Sequence, residues 1–456
     1  MARDWIRLPS YSSKDEAEKC APDGWQALQI EQLSEQLPVG KRFEQKTSLP
    51  VGRVPVIDQS AAGIVGWHNE APGVSASSKS PVVTFANHTC EMRLMERPFS
   101  VIQNVFPLVG RDNVCRTKFF YYLTKGRVWL EEYKGHFPDF RRKWILCPPY
   151  RDQERLTKVL GDLDKKISLN LSSNQTLEAM AQAIFQSWFV EFDPVKAKIA
   201  AKQEGRDPLR AAMSAISGKA GAELDALPPE QYEQLAATAA LFPDEMEDSE
   251  LGAIPKGWTV CPLPECVDIN PSRVLKKGAI APYLDMANVP THAARVDNVV
   301  PRAFGSGSKF INGDTLLARI TPCLENGKTA YVDFLADGEV GWGSTEFIVL
   351  RPKNGLPLPF AYFLCRHPEF RAFAISQMAG TSGRQRVPND CFGAYKVVKP
   401  SPLVADAFGL QTTQFMKQIK SLDEASKTLA GLRDVLLPRL LSGELQVQHT
   451  EPEAVA

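Results

Sequence analysis

At 456 residues, 44% apolar and 23% charged, the chain has material for two or three domains with buried cores. It holds no run of about 18 apolar residues that could span a membrane, and Met1-Ala-Arg-Asp-Trp5 lacks the apolar centre of a secretion signal, so the expected compartment is the cytoplasm. The formal charge of zero is an average: residues 220–255 hold nine acidic and no basic side chains, leaving 53 basic against 44 acidic elsewhere, a net +9 that permits a nucleic-acid partner.

Residues 1–20 are polar and expected to be loosely ordered at the very start. From Trp25 to about Tyr133, short apolar runs alternate with turn residues: Val54-Pro-Val-Ile57, Gly63-Ile-Val-Gly-Trp67, Pro81-Val-Val-Thr-Phe85 and Phe99-Ser-Val-Ile102 read as strands. Lys118-Phe-Phe-Tyr-Tyr-Leu-Thr124 suits a helix or a strand, since seven residues are too few for periodicity to decide. A long helical pattern opens after Pro149 and runs to Phe189. Leu156, Leu160, Leu163 and Ile167 follow a four-three-four spacing, the rhythm of a coiled-coil seam. Asn170 and Asn174 hold that register as polar residues before Leu177 restores it. Asp193-Pro194 is expected to end this helix, and an Ala-rich helical connector follows, acidic in its second half, with breaks at Asp207-Pro208 and Leu227-Pro-Pro229. A second strand-rich region opens at Ser249-Glu-Leu-Gly-Ala-Ile-Pro-Lys-Gly-Trp258. Its strand-like segments are Pro282–Asp285, Thr315–Ile320, Thr329–Val332 and Thr345–Leu350. A second long helical pattern, with Phe415, Ile419, Leu422, Ser426 and Leu429 in the same rhythm, ends near Leu441.

The two helical patterns are copies displaced by 252 residues. Pro148 falls on Pro400, Lys165 on Lys417, Ile167 on Ile419, Thr176 on Thr428 and Leu177 on Leu429. Leu156 matches Phe408, Leu163 matches Phe415 and Ile184 matches Leu436. Either helix alone would suit an ordinary helical hairpin; two copies favour pairing with each other, with the polar seam residues fixing register. The heads repeat more loosely, sharing the Gly-Trp entry (Gly24-Trp25, Gly257-Trp258) and an aromatic segment (Phe119–Leu123, Phe360–Leu364). The expected pairing or partner-docking residues are Leu156, Leu163, Ile167, Leu177, Phe185, Trp188 and Phe189 with Phe415, Ile419, Leu422, Leu429 and Leu436.

Asn174-Gln-Thr-Leu-Glu-Ala-Met-Ala-Gln-Ala-Ile-Phe-Gln-Ser-Trp-Phe-Val-Glu-Phe-Asp-Pro194 resembles the central helix of type I restriction–modification specificity subunits. Ser249–Trp258 resembles the opening of a target-recognition domain in that family. Gly313-Asp-Thr-Leu-Leu-Ala-Arg-Ile320 with Glu325-Asn-Gly-Lys-Thr-Ala330 resembles its internal strand–loop motif, and Gly380-Thr-Ser-Gly-Arg-Gln-Arg-Val387 the end of such a domain. The likeness runs from residue 22 to 445 in the family's order. The first head departs from it: a Gly-Asp-x-Leu motif is lacking, and Glu132-Tyr-Lys-Gly-His-Phe-Pro-Asp-Phe140 replaces the Gly-Thr-Ser-Gly turn.

The resemblance implies an α+β, pseudo-two-fold chain: two target-recognition domains, mixed α/β heads rich in strands, separated by two long antiparallel coiled-coil helices. Its expected divisions are 1–142 (first head), 143–194 (first long helix), 195–248 (connector), 249–394 (second head), 395–445 (second long helix) and 446–456 (disordered tail). It also implies a non-catalytic reader of asymmetric bipartite DNA that docks two methyltransferase subunits and motor–nuclease subunits. S-adenosylmethionine, ATP and magnesium would belong to those partners and no cofactor to this chain. Residues 156–189, at roughly 1.5 Å each, make a rod of about 50 Å, comparable to roughly 15 base pairs at about 3.4 Å per pair.

Base edges and phosphates are reached chiefly by Arg, Lys, Asn and Gln. In the second head the candidates are Arg384, Gln385 and Arg386 on a Gly-opened loop, Arg319 and Lys328 flanking the 321–327 loop, and Arg302 and Lys309 flanking Gly305–Ser308. In the first head they are Lys41, Arg42, Lys46, Arg53, Lys79 and Arg93. Catalytic readings lack support: no Gly-x-x-x-x-Gly-Lys-Ser/Thr is present, and Cys147-Pro-Pro-Tyr150 places Cys where an adenine methyltransferase motif carries Asp or Asn. Nor does a metal site suggest itself: the nine cysteines are scattered, Cys261 and Cys266 lack a second pair, and His68 and His88 stand without a neighbouring ligand type. The alternatives kept open are a structural coiled-coil adaptor with protein-binding heads and a stand-alone DNA-modifying enzyme.

Overall fold

The computed structural model describes residues 6–130, 134–381 and 383–445. Glu132 and Tyr133 of the first head's expected turn, Ser382 of the second head's loop, and the expected 446–456 tail lie outside the described residues, as do the first five. The chain is α+β and divides into two units, Met1–Leu169 with Ser426–Ala456, and Asn170–Ala425.

Two helices of 40 residues each, Tyr150–Phe189 and Pro402–Leu441, form where the repeated pattern predicts them, and their bounds differ by the same 252 residues. Proline beside each first turn suits a helix start, because the amide it lacks has no intrahelical acceptor there. The helices pack antiparallel. In the Asn170–Ala425 unit, Asn170 is 1% exposed and its Nδ2 donates to the Leu422 carbonyl at 3.4 Å, while the Phe189 and Phe408 rings lie 4.8 Å apart. Residues 170 and 422 are equivalent positions of the repeat, so the polar seam residue marks where one copy meets the other. In the other unit, Leu156 and Leu160 share a core with Leu437, Leu440 and Leu441, and Arg433 pairs with Asp164 at 3.0 Å.

The buried face is wider than the expected seam. Leu156, Phe185, Trp188, Phe189 and Ile419 are buried, whereas Leu163, Ile167, Leu177, Phe415, Leu422, Leu429 and Leu436 are half-buried. Ala181, Phe408, Thr412, Met416, Leu437 and Leu440 are buried beside them. Each helix carries a head as well as its twin, and a helix facing two neighbours needs a broader apolar stripe than a two-helix seam.

Asp193-Pro194 opens the next helix (Asp193–Gln203) instead of ending the long one. The long helix stops at Phe189, and the turn is made by Phe192 in the left-handed region at φ +57°. The other expected breaks are likewise starts: Asp207 caps Pro208–Ser217 by accepting from Leu209 N, and Pro229–Ala240 follows Leu227-Pro-Pro. With Gly221–Asp225 these connector helices enclose a small core of Ala212, Met213, Leu224 and Ala239.

Both heads follow one plan, with a shared set of strands in the same order. Gly24 (φ +79°) and Gly257 (φ +80°) make the entry turn, which an L side chain rarely adopts. The next strand, Gln26–Gln29 or Thr259–Pro262, pairs antiparallel with the strand that leads into a long helix, Trp144–Cys147 or Lys396–Lys399. The first sheet has the order Ser34–Gln36, Val105–Gly110, Val82–Ala86, Met92–Met95 in one head. In the other it is Val267–Ile269, Phe347–Pro352, Thr315–Ala318, Thr329–Tyr331. The aromatic segments are helices, Thr117–Thr124 and Pro359–Arg366, whose aromatic faces are buried. In the second sheet Val54–Ile57 runs parallel to Ser100–Val101 and antiparallel to Ile64–His68. Ile280–Leu284 does the same with Gly341–Gly343 and Val300–Ala303, and Ser308–Phe310 adds a fourth strand.

The heads therefore share far more than the entry and the aromatic segment. Ladder register depends on which face is buried more than on residue identity, so sequence can drift under a constant topology. Register aligns positions across the heads: Val83 faces Leu108 as Thr315 faces Leu350. By that count the Asp314–Arg351 ion pair of the Gly-Asp-Thr-Leu strand occupies the places of Val82 and Val109. The motif missing from the first head is thus a buried ionic link replaced by an apolar one. Among the described residues no helix is long and apolar enough to cross a membrane.

Candidate nucleic-acid interface

The second sheet of the second head presents an exposed edge strand, Val300–Ala303. From it the Arg302 guanidinium lies over Tyr283 at 4.7 Å and over Trp342 at 5.9 Å, and Trp342 Nε1 donates to the Arg302 carbonyl at 3.3 Å. Lys309 sits over Phe304 at 5.6 Å, and Phe304 meets Trp342 edge to face. The Lys276-Lys277-Gly278 turn is fixed to the same hairpin by Gly278 N donating to Phe304 O and Phe304 N to Ala279 O, both 2.8 Å. Lys276 and Lys277 are exposed and carry no ion pair among the described residues. In sequence they are marked only by a Lys-Lys-Gly turn, and the Tyr283, Phe304 and Trp342 faces become a group only through strand pairing. Ile280, 70% exposed, adds apolar surface beside them.

The loop ending in Arg386 forms a second cluster. Ala379 and Arg386 exchange backbone hydrogen bonds at 3.0 and 2.9 Å, and the Gln385 carbonyl accepts from Thr321 N at 3.0 Å. Arg386 forks onto Glu346 through Nε and Nη2 at 2.9 and 2.7 Å, and this bond pushes its pKa up. Arg384 is exposed and unpaired among the described residues. Arg319 and Lys328, in contrast, are used internally: Arg319 Nη2 donates to Val387 O at 2.6 Å, holding the loop, and Lys328 Nζ donates to Met286 O at 2.6 Å. Nothing local in sequence ties Glu346 to a loop 40 residues away.

In the first head the candidates fall into two groups. Lys41 pairs with Glu70 at 2.7 Å and lies over Phe43, and Arg53 Nη2 donates to Asn69 O at 2.7 Å, so both rest on one turn. Arg42 Nη1 donates to Ile102 O at 2.9 Å, and Lys46 is exposed on the Gln45–Thr47 turn. Lys79 and Arg93 belong to the other sheet's side. Arg93 Nη2 donates to Ser60 O, its guanidinium crosses Gly63 where a Cβ would meet Nε at 2.2 Å, and burial lowers its pKa. None of these is the register equivalent of Arg302. That place is taken by His68, which is buried, stacked on Phe43 at 3.9 Å, and bonded through Nε2 to Ser100 Oγ at 2.9 Å, Ser100 standing where Trp342 stands. Glu70 N donates to His68 Nδ1 at 3.1 Å, fixing the neutral tautomer with its proton on Nε2, and burial lowers the imidazole pKa.

These surfaces supply cations, amide donors and stacking faces, the chemistry of binding to a polyanion with exposed bases. Among the described residues no three His, Cys, Asp or Glu side chains are grouped to hold a metal. The Cys261 and Cys266 thiols bond to each other at 2.9 Å, and burial pushes Cys266 up to about 12.

No family model matches the chain. It is 29% identical over 326 residues to the type I restriction enzyme HindI specificity subunit of Haemophilus influenzae, covering 66% of this chain and 69% of that one. It is 22% identical over 381 residues to the MjaIX specificity subunit of Methanocaldococcus jannaschii, covering 78% and 75%. A third match, 29% over 212 residues to the EcoEI specificity subunit of Escherichia coli, spans 45% of this chain and 35% of that longer relative. In fold the chain is similar to the crystal structure of a type I restriction–modification S subunit from M. genitalium, with TM-score 0.51 and 15% identity over 91% of this chain and 96% of that one.

Proposed function

From a chain homologous to type I restriction–modification specificity subunits, we propose that this protein is the DNA-recognition subunit of such a complex and is not itself the catalyst. The observation that carries the reading is a duplicated scaffold with unlike surfaces: the shared ladders repeat in order and register, while Arg302 over Trp342 in one head becomes His68 bonded to Ser100 in the other. A reader of one asymmetric bipartite site needs that combination, a common frame for two half-sites and different side chains for each. Arg302, Lys309, Lys276 and Lys277 are the proposed phosphate and base contacts of the second head, with Arg384 and Arg386 beside them. Lys41, Arg42, Lys46 and Arg53 are those of the first head.

The long helices dock two methyltransferase subunits on this reading, and motor–nuclease subunits join the assembly. S-adenosylmethionine, ATP and magnesium are held by those partners, and the complex works in the cytoplasm. Methylome sequencing of a host with and without this gene tests the proposal. A bipartite adenine-methylation motif should vanish on deletion; an unchanged methylome refutes it.

A further inference from the structure

The edge of the second head's first sheet is covered by its own chain. Thr329 N donates to Pro290 O at 3.4 Å and Tyr331 N to Ala294 O at 3.2 Å. The covering segment is clamped in turn: Glu178 Oε2 accepts from Ala294 N at 3.0 Å, Arg366 Nη1 donates to Thr291 O at 2.6 Å, and Tyr362 OH donates to Glu178 Oε1.

Among the described residues no segment covers the equivalent edge of the first head, Met92–Met95. Ala86 N bonds Glu91 O, and the register pairs Thr84 with Arg93, so the amides of Met92 and Leu94 point outward, as those of Thr329 and Tyr331 do. Neither outward amide has a partner among the described residues. The reason is chain length: eight residues link Ile57 to Gly66, whereas fifteen link the equivalent Leu284 and Val300. What remains is a cleft of about 1430 Å³ between the edge strand and the first long helix, lined by Lys79, Met92, Leu94, Tyr121, Lys158 and Gly161. The cation–phenol pair of the covered edge is kept, Lys125 Nζ to Tyr121 OH at 2.7 Å, standing where Arg366 and Tyr362 stand. Position 430, the repeat equivalent of Glu178, is alanine.

We infer that this cleft is a docking site for an extended segment of a partner polypeptide. The segment adds as a strand outside Met92–Met95 and offers carbonyls to the Met92 and Leu94 amides. An open edge is a template for strand addition, and the second head's own 290–294 segment shows the kind of ligand this frame accepts. Lys79 and Lys158, both exposed and without ion pairs among the described residues, favour an acidic segment.

The test uses the full chain and two fluorescent peptides, residues 288–297 of this protein and the same peptide carrying Ala293→Glu. Both should bind saturably, the acidic one more tightly. Leu94→Pro removes one outward donor at a site where an edge strand tolerates proline. It should weaken binding by about tenfold, the weight of one hydrogen bond, while Leu94→Ala leaves binding within about twofold. Circular dichroism checks folding. On the unmodified chain, hydrogen exchange at Met92 and Leu94 should slow at peptide saturation. Absent saturable binding, unprotected amides, a folded Leu94→Pro variant that binds as well as the parent, or displacement of the peptide by duplex DNA would each overturn the inference.

Discussion

Asp314 allows the energetics of the repeated sheet to be tested against the molecule's own second solution. Its side chain is fully buried, accepts from Ile311 N at 2.9 Å, and pairs with Arg351 at 2.7 Å and Arg273 at 3.3 Å, whose side chains are 26% and 16% exposed. Asp314→Val leaves two neighbouring guanidinium groups without their anion. Breaking a buried pair costs roughly 3–5 kcal/mol, and the partial exposure of both arginines argues for the lower figure, about 3 kcal/mol. The double variant Asp314→Val, Arg351→Val reproduces the Val82–Val109 contact of the other head and removes the larger part of the uncompensated charge. It should recover about half of that loss or more. Native-state hydrogen exchange at Thr315–Ala318 is the assay, since it reads this sheet alone in the full chain. The single variant should raise the exchange of those amides by roughly two decades, and the double variant by about one or less. Equal losses in the two variants, or a single-variant loss under about 1 kcal/mol, would refute the view that the ion pair and the valine pair are interchangeable links.

His68 gives a pH signature. Its folded pKa lies below the unperturbed value of about 6.5, so the unfolded state binds more protons between the two. Stability of the first head is therefore complete above that pH and falls below it; exchange at Val54–Ile57 should accelerate as pH drops from 7 to 5, and His68→Gln should flatten the dependence. Arg384→Ala should weaken DNA binding and reduce the salt slope by about one if it meets a phosphate. Glu346→Ala should lower discrimination at one half-site without lowering that slope, because it frees Arg386 to wander while leaving its charge; improved affinity with unchanged discrimination would count against a positioning role. Asn170→Leu exchanges a buried polar seam residue for an apolar one and should raise the thermal midpoint by a few degrees, at the expense of register. A lower midpoint would mean that the bond to Leu422 stabilises the pair.

The long helices were legible because 40 residues of periodic burial leave a strong, local trace, and duplication doubled it. The sheets were legible only in part. Val54–Ile57 and Thr315–Ala318 announce themselves by apolar runs, but Met92–Met95, Met-Arg-Leu-Met, has no turn residue tight against either end and emerges only through its pairing with Val82–Ala86. Proline at Asp193-Pro194 misled for a physical reason: the same ring that forbids a helix interior favours a first turn. Candidate contacts were legible as residue types and not as roles. Arg319 and Arg384 read alike in sequence, yet one ties the loop to Val387 and the other points outward unpaired among the described residues. Distinguishing them requires knowing which carbonyls a fold brings near, information carried by long-range pairing.

Divergence between the heads is confined to what topology does not need. Where register alone holds a strand, the two copies have changed chemistry freely: an ion pair for two valines inside the first sheet, a stacked arginine for a bonded histidine on the second. Where the copies meet each other, at Asn170 and Leu422, and where helix ends join head strands, spacing is held to the residue. The connection after Ile57 or Leu284 is a different kind of change, because seven residues more or fewer decide whether a sheet edge is closed by its own chain or left open. Substitutions alter what each head can read; that length difference alters what else it can hold.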